Sequence, residues 1–98
     1  MRQLLVTPRA ESDLIGIWVY IREEWGVDKA DQYLDELEEG MKRLIDHPSL
    51  GIDYSHVLPG YRRMQIEHHA VFYNLAGADV VVVRVLHESM DAPARLLD

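Results

Sequence analysis

The sequence predicts an α+β fold of order β-α-α-β-β-β, in which an N-terminal helical hairpin packs on one face of a mostly antiparallel sheet. Three observations predict it. Residues 8–48 carry two successive apolar stripes at helical spacing, separated only by a glycine turn. Residues 61–87 carry three short runs rich in strand-forming side chains. The length, 98 residues, fits one compact domain, so residues 1–98 read as a single unit.

Arg2–Val6 reads as a short strand. Thr7 then stands as a helix N-cap with Pro8 at the first helical position, where its missing N–H costs nothing. Ala10, Leu14, Ile17, Ile21 and Trp25 form one stripe, widened by Ile15 and Trp18, until Gly26 stops the helix. Asp28 reads as the cap of a second helix whose apolar face runs through Ala30, Tyr33, Leu34, Leu37, Met41, Leu44 and Ile45. Its outer face is acidic, with Glu38–Lys42 and Glu39–Arg43 at pairing distance along the helix, and Pro48 ends it. So tight a turn between two long helices requires antiparallel packing.

Residues 47–60 read as a loop, punctuated by Pro48, Gly51, Pro59 and Gly60. Strands are expected at Tyr61–Glu67, His69–Leu75 and Asp79–His87, the last two joined by the turn Ala76-Gly77-Ala78. Beyond Met90, Asp91 can cap a short turn containing Ala92, Pro93 and Leu96.

Strand alternation carries the reading toward function. In the last strand Val81, Val83 and Val85 are expected on one face and Val80, Val82, Arg84 and Leu86 on the other. One helical hairpin dries one face only. The second face is therefore either covered by the chain's own tail or a docking surface for a partner.

Charge narrows the partner. The net charge is −7, and residues 1–46 hold eleven acids against six bases. An acidic body disfavours direct nucleic-acid binding, which depends on clustered Lys and Arg, and favours a partner with a basic arm. No cysteine is present, which excludes disulfides and thiolate metal sites. No signal peptide or membrane span is apparent, so the expected location is the cytoplasm, away from membranes. No metal-ligand spacing, phosphate loop or nucleophile motif stands out, and no cofactor is expected.

Seven short motifs then occur in order. They are Thr7-Pro8-x-Ala10-x-x-Asp13-Leu14, Trp25-Gly26, Ala30-x-x-Tyr33-x-x-x-Leu37 and Pro48-x-x-Gly51, followed by Gly60-Tyr61-Arg62-Arg63, His69-x-Val71-Phe72-Tyr73 and Arg84-Val85-Leu86-His87-x-x-Met90-Asp91. On these the chain resembles the ParE toxins of the ParE/RelE superfamily over nearly its whole length. The resemblance implies a toxin of a type II toxin–antitoxin system, neutralised by a ParD-like antitoxin whose flexible arm wraps it. It also implies inhibition of DNA gyrase by binding.

The alternative within the superfamily is a RelE-like, ribosome-dependent mRNA endonuclease. Enzymes of that branch tend to place lysines, arginines and a C-terminal tyrosine or histidine on the sheet. Here the lysines are Lys29 and Lys42, both in the second helix, and the last tyrosine is Tyr73. Arg84 is expected to pair with an acid, and His68, His69 and His87 to be partly buried sheet residues. No catalytic residue is therefore assigned, and the chain is not expected to be an enzyme. Val80, Val82, Arg84 and Leu86 are the expected antitoxin contacts. Arg62, Arg63 and Arg95 are the expected target contacts, because segment 61–87 has three arginines against two acids.

Overall fold

The computed structural model describes residues 2–97. Strand β1 (Leu4–Val6) leads into helix α1 (Pro8–Trp25), and helix α2 (Val27–Asp46) follows. Strands β2 (Ile52–Asp53), β3 (Arg62–Ile66), β4 (His69–Ala76) and β5 (Asp79–His87) come next, and a short helix α3 (Ala92–Leu96) ends the chain. The five strands lie in the order β1-β5-β4-β3-β2. Only the β1–β5 pair is parallel; the other three are antiparallel.

The caps follow from local chemistry. The Thr7 hydroxyl accepts the Ala10 N–H at 3.2 Å and donates to the Val83 carbonyl at 3.1 Å, so one side chain starts α1 and ties it to β5. Gly26, at φ 93°, both ends α1 and starts α2. A side chain is disfavoured at that backbone angle, so glycine, and not Asp28, sets the turn. Lys42 bridges Glu38 at 3.3 Å and Glu39 at 3.9 Å on the outer face of α2.

The hairpin buries Ala10, Leu37, Met41 and Leu44 against Val71, Tyr73, Val80, Val82 and Val85 of the sheet. On the opposite face Ala70, Phe72 and Leu86 are buried beneath Ala92 and Leu96 of α3, with Tyr54 and Val83 beside them. The tail therefore covers that face, one of the two possibilities left by the sequence.

A β-bulge corrects the expected grouping of the last strand. Tyr73 stands opposite Val82 and its neighbour Phe72 opposite Arg84, so Val83 has no partner and the alternation of β5 shifts by one residue there. Val80 and Val82 consequently face the helices and are fully buried, whereas Leu86 faces α3. A docking face made of Val80, Val82, Arg84 and Leu86 does not exist.

Loop 47–51 is pinned by a buried hydroxyl. Tyr73 Oη donates to the Pro48 carbonyl at 2.7 Å and accepts the Gly51 N–H at 2.8 Å. A Cβ at Gly51 would stand 2.6 Å from that oxygen, which explains the glycine. Tyr73→Phe leaves both loop groups unpaired and is expected to cost about 1–3 kcal/mol. The check is a lowered urea midpoint at unchanged m-value.

Candidate partner-binding groove

Strand β1 stops at Val6, so from Val83 onward β5 has no strand neighbour on that side among the described residues. The first turns of α1 take its place. Asp13 Oδ2 accepts the Val85 N–H at 2.9 Å, filling a ladder position that a strand would fill. The same carboxylate holds Arg84 through two bonds, Nε to Oδ2 at 2.8 Å and Nη2 to Oδ1 at 3.0 Å. Arg84 Nη1 also donates to the Arg95 carbonyl of α3 at 3.3 Å.

Where α1 diverges from this edge a groove opens, with a volume of about 1060 Å³. Ile17, Tyr20, Ile21 and Trp25 form its α1 wall; Val85, Leu86 and Met90 lie across from them. Tyr20 and Trp25 are 64% and 71% exposed, so large aromatic surface stands open along the groove. Trp25, the last member of the expected core stripe, thus lines a groove instead of the core. Trp18 lies at the edge, donating from Nε1 to Asp31 at 2.8 Å with Arg22 over its ring. Gly16 lies between Ser12 and Tyr20 on the same wall, with nothing within 4 Å of where its Cβ would be.

A histidine cluster closes one end. Tyr33 Oη accepts the His68 N–H at 3.2 Å and shares a hydrogen bond with His69 Nδ1 at 2.5 Å. Burial raises the Tyr33 pKa. The His69 and His87 rings meet edge to face at 5.1 Å. His87 Nδ1 accepts the Ser89 N–H at 3.1 Å, and the exposed His68 pairs with Glu88 at 3.0 Å. Burial, then the neighbouring His87 and His68, push the His69 pKa down to about 4.

This depression has a testable consequence. The unfolded chain takes a proton at His69 near pH 6.5, but the folded chain only near pH 4. Its contribution is therefore complete above pH 6.5 and is lost progressively as pH falls toward about 4. The full effect is roughly 3 kcal/mol. Replacing His69 by Gln is expected to flatten the fall of unfolding free energy across that window, measured by urea titration at a series of pH values.

Beyond the histidines the surface turns acidic. A shallower depression of about 640 Å³ on α2 is lined by Asp28, Asp31, Asp35, Glu39 and, shared with the groove, Glu36 and Glu67, against the single base Arg43. Apolar groove and acidic rim thus form one continuous surface.

Of the residues picked out from sequence, Arg84, Leu86 and Arg95 line the groove, while Val80 and Val82 lie in the core. Arg62 and Arg63 sit two strands away on β3. Arg62 Nη1 donates to the Gly51 carbonyl at 2.6 Å, and Arg63 Nη2 to the Gln65 side chain at 2.6 Å. Asp13, Gly16 and Tyr20 were not singled out as site residues. The available signal was an acid beside the core stripe and a small–small–aromatic series at Ser12, Gly16 and Tyr20. Among the described residues no group of three His, Cys, Asp or Glu side chains could hold a metal ion, and no helix is long and apolar enough to cross a membrane.

The groove is built on a fold with known relatives. A solved structure of the chromosomal ParDE toxin–antitoxin system from P. aeruginosa superposes with a TM-score of 0.79, covering 89% of this chain and 96% of that one at 22% identity. Toxin ParE1 of Caulobacter vibrioides is 38% identical over 96 residues, spanning 98% of this chain and 99% of the relative. Toxin ParE1 of Mycobacterium tuberculosis is 39% identical over 93 residues, 94% of this chain and 95% of the relative. Toxin ParE of Escherichia coli is 40% identical over 99 residues, covering 100% and 96%. Residues 4–92 match the model of the ParE toxin of the type II toxin–antitoxin system parDE, and the chain belongs to that family.

Proposed function

We propose that the chain inhibits DNA gyrase by binding it, in the cytoplasm and without catalysis, and that a ParD-like antitoxin neutralises it by laying an arm in the groove. The observation that carries this reading is the open apolar groove running into an acidic rim. An arm presenting apolar side chains to Tyr20 and Trp25, and basic ones to Glu36, Glu67 and the α2 acids, complements both halves. Such an arm buries roughly 1,500 Å² or more.

The target contact is assigned to Arg62, Arg63 and Arg95 with the C-terminal tail. The groove's Arg84 is held by Asp13, and its His69 is buried between Tyr33 and the edge of His87, which favours structural roles for both over catalytic ones. The deciding experiment uses purified chain, freed of antitoxin, in gyrase supercoiling and cleavage assays beside a ribosome-dependent mRNA cleavage assay. Inhibited supercoiling with intact mRNA is expected. Codon-specific mRNA cleavage that disappears in His87→Ala would overturn the reading.

A further inference from the structure

We infer that Arg84 is a latch coupling occupancy of the groove to the docking of α3 on the sheet. The inference rests on the groove being the antitoxin's seat, and it adds a way for that seat to control the opposite face.

Helix α3 has five residues and none of them is buried. A helix this short does not persist alone in water, because nucleation outweighs the few bonds it gains. It is held by Ala92 and Leu96 against Ala70, Phe72 and Leu86, by the Asp91 cap at 3.3 Å, and by Arg84. Docked and helical are therefore one state, undocked and unwound the other. An element with so few buried contacts opens far more readily than the core does.

Arg84 belongs to both sides of the sheet. It stands opposite Phe72, on the face that α3 covers, yet its guanidinium meets Asp13 on α1 at 2.8 Å. From there it reaches the Arg95 carbonyl at 3.3 Å. Asp13, Arg84 and Arg95 all line the groove. A segment seated there touches a wall that is complete only while α3 is docked, since undocking carries Arg95 away.

A ligand shifts a two-state equilibrium by its differential contacts with the two states, and the coupling is reciprocal. The seated antitoxin arm thus holds α3 down. Loss of α3 weakens the arm by the same factor. The apolar patch of Ala70, Phe72 and Leu86 opens more readily in a chain whose groove is empty. Occupancy of the groove then also fixes the position of α3 and the tail, not merely the groove itself.

The test is amide hydrogen exchange of the whole chain, free and bound to the full-length product of its antitoxin gene. Binding is expected to slow exchange at Ala94, Arg95 and Leu97 tenfold or more, alongside slowing at Val85 in the groove. A chain ending at residue 91 is expected to bind the antitoxin more weakly by the same factor. Arg84→Lys keeps a charge beside Asp13 but loses the fork that reaches α3. In the free Arg84→Lys chain α3 exchange is expected to quicken, and antitoxin affinity to fall with it, because the wall that Arg84 and Arg95 form is loosened. If Arg84→Lys fails to fold by circular dichroism, the truncated chain carries the test. Slowing at Val85 with α3 exchange unchanged overturns the coupling but leaves the groove as the seat. Slowing at neither place rejects the seat, and the coupling with it.

Discussion

Gly16→Trp is expected to leave the fold at least as stable as the parent while weakening antitoxin binding a thousandfold or more. The stability half follows from position. Gly16 is an interior residue of α1, exposed, with open space around its missing Cβ. Glycine there costs close to 1 kcal/mol relative to alanine, and tryptophan recovers part of that. The binding half follows from what the space is. Gly16 lies in the α1 wall between Ser12 and Tyr20, so an indole projects into the groove proposed to seat the antitoxin arm. Central, well-packed positions carry most of an interface's energy, and a bulky side chain there excludes the partner.

Gly16→Ala separates the two effects. It is expected to raise stability by up to about 1 kcal/mol and to change antitoxin affinity by less than tenfold. The measurements are thermal unfolding and calorimetric titration with the antitoxin, together with growth of cells producing both proteins. Those cells should remain inhibited with Gly16→Trp, because the toxin escapes its antidote. Parent-like affinity for Gly16→Trp would remove the groove from antitoxin recognition.

The sequence made α2 legible because its apolar and acidic residues separate cleanly onto two faces. Helix α1 was harder to read. Ile15, Trp18, Val19 and Tyr20 make it apolar nearly all round, so the pattern could not distinguish the side facing the core from the side facing the groove. That is why Trp25 reads as core although it is 71% exposed.

The β5 grouping failed for a related reason. Alternation locates a bulge only when the residue types change phase, and Val80–Val83 is a uniform run that hides the shift. The Asp13–Arg84 pair links residues 71 apart, and no local periodicity encodes such a contact. Its halves were each visible, as an acid beside a core stripe and an arginine in an apolar strand. The Asp91 cap and Leu96 anchor of α3 were legible because capping is a local signal.

Deletion of residues 92–98 is expected to abolish growth inhibition while the remaining chain still folds and binds its antitoxin. Folding survives because the main core lies between the helical hairpin and the other face of the sheet, and no residue of α3 belongs to it. What is lost is a cover over Ala70, Phe72 and Leu86, the Arg95 side chain, and one bond from Arg84. Antitoxin affinity is expected to fall by about tenfold through that lost wall, a small fraction of a complex burying on the order of 1,500 Å². Toxicity is expected to fall at least a hundredfold, because the proposed target contact places Arg95 and the tail against gyrase. Two further substitutions sort the contributions within the tail. Arg95→Ala removes a charge but keeps α3 docked, whereas Leu96→Ala keeps the charge and loosens the helix. A charge-borne contact predicts the larger loss for Arg95→Ala, and a contact made by the docked helix predicts it for Leu96→Ala. Supercoiling inhibition by each purified variant, with circular dichroism confirming the fold, is the measurement. A folded chain ending at residue 91 that inhibits gyrase at full strength would take the tail out of the mechanism and leave Arg62 and Arg63 as the contact to pursue.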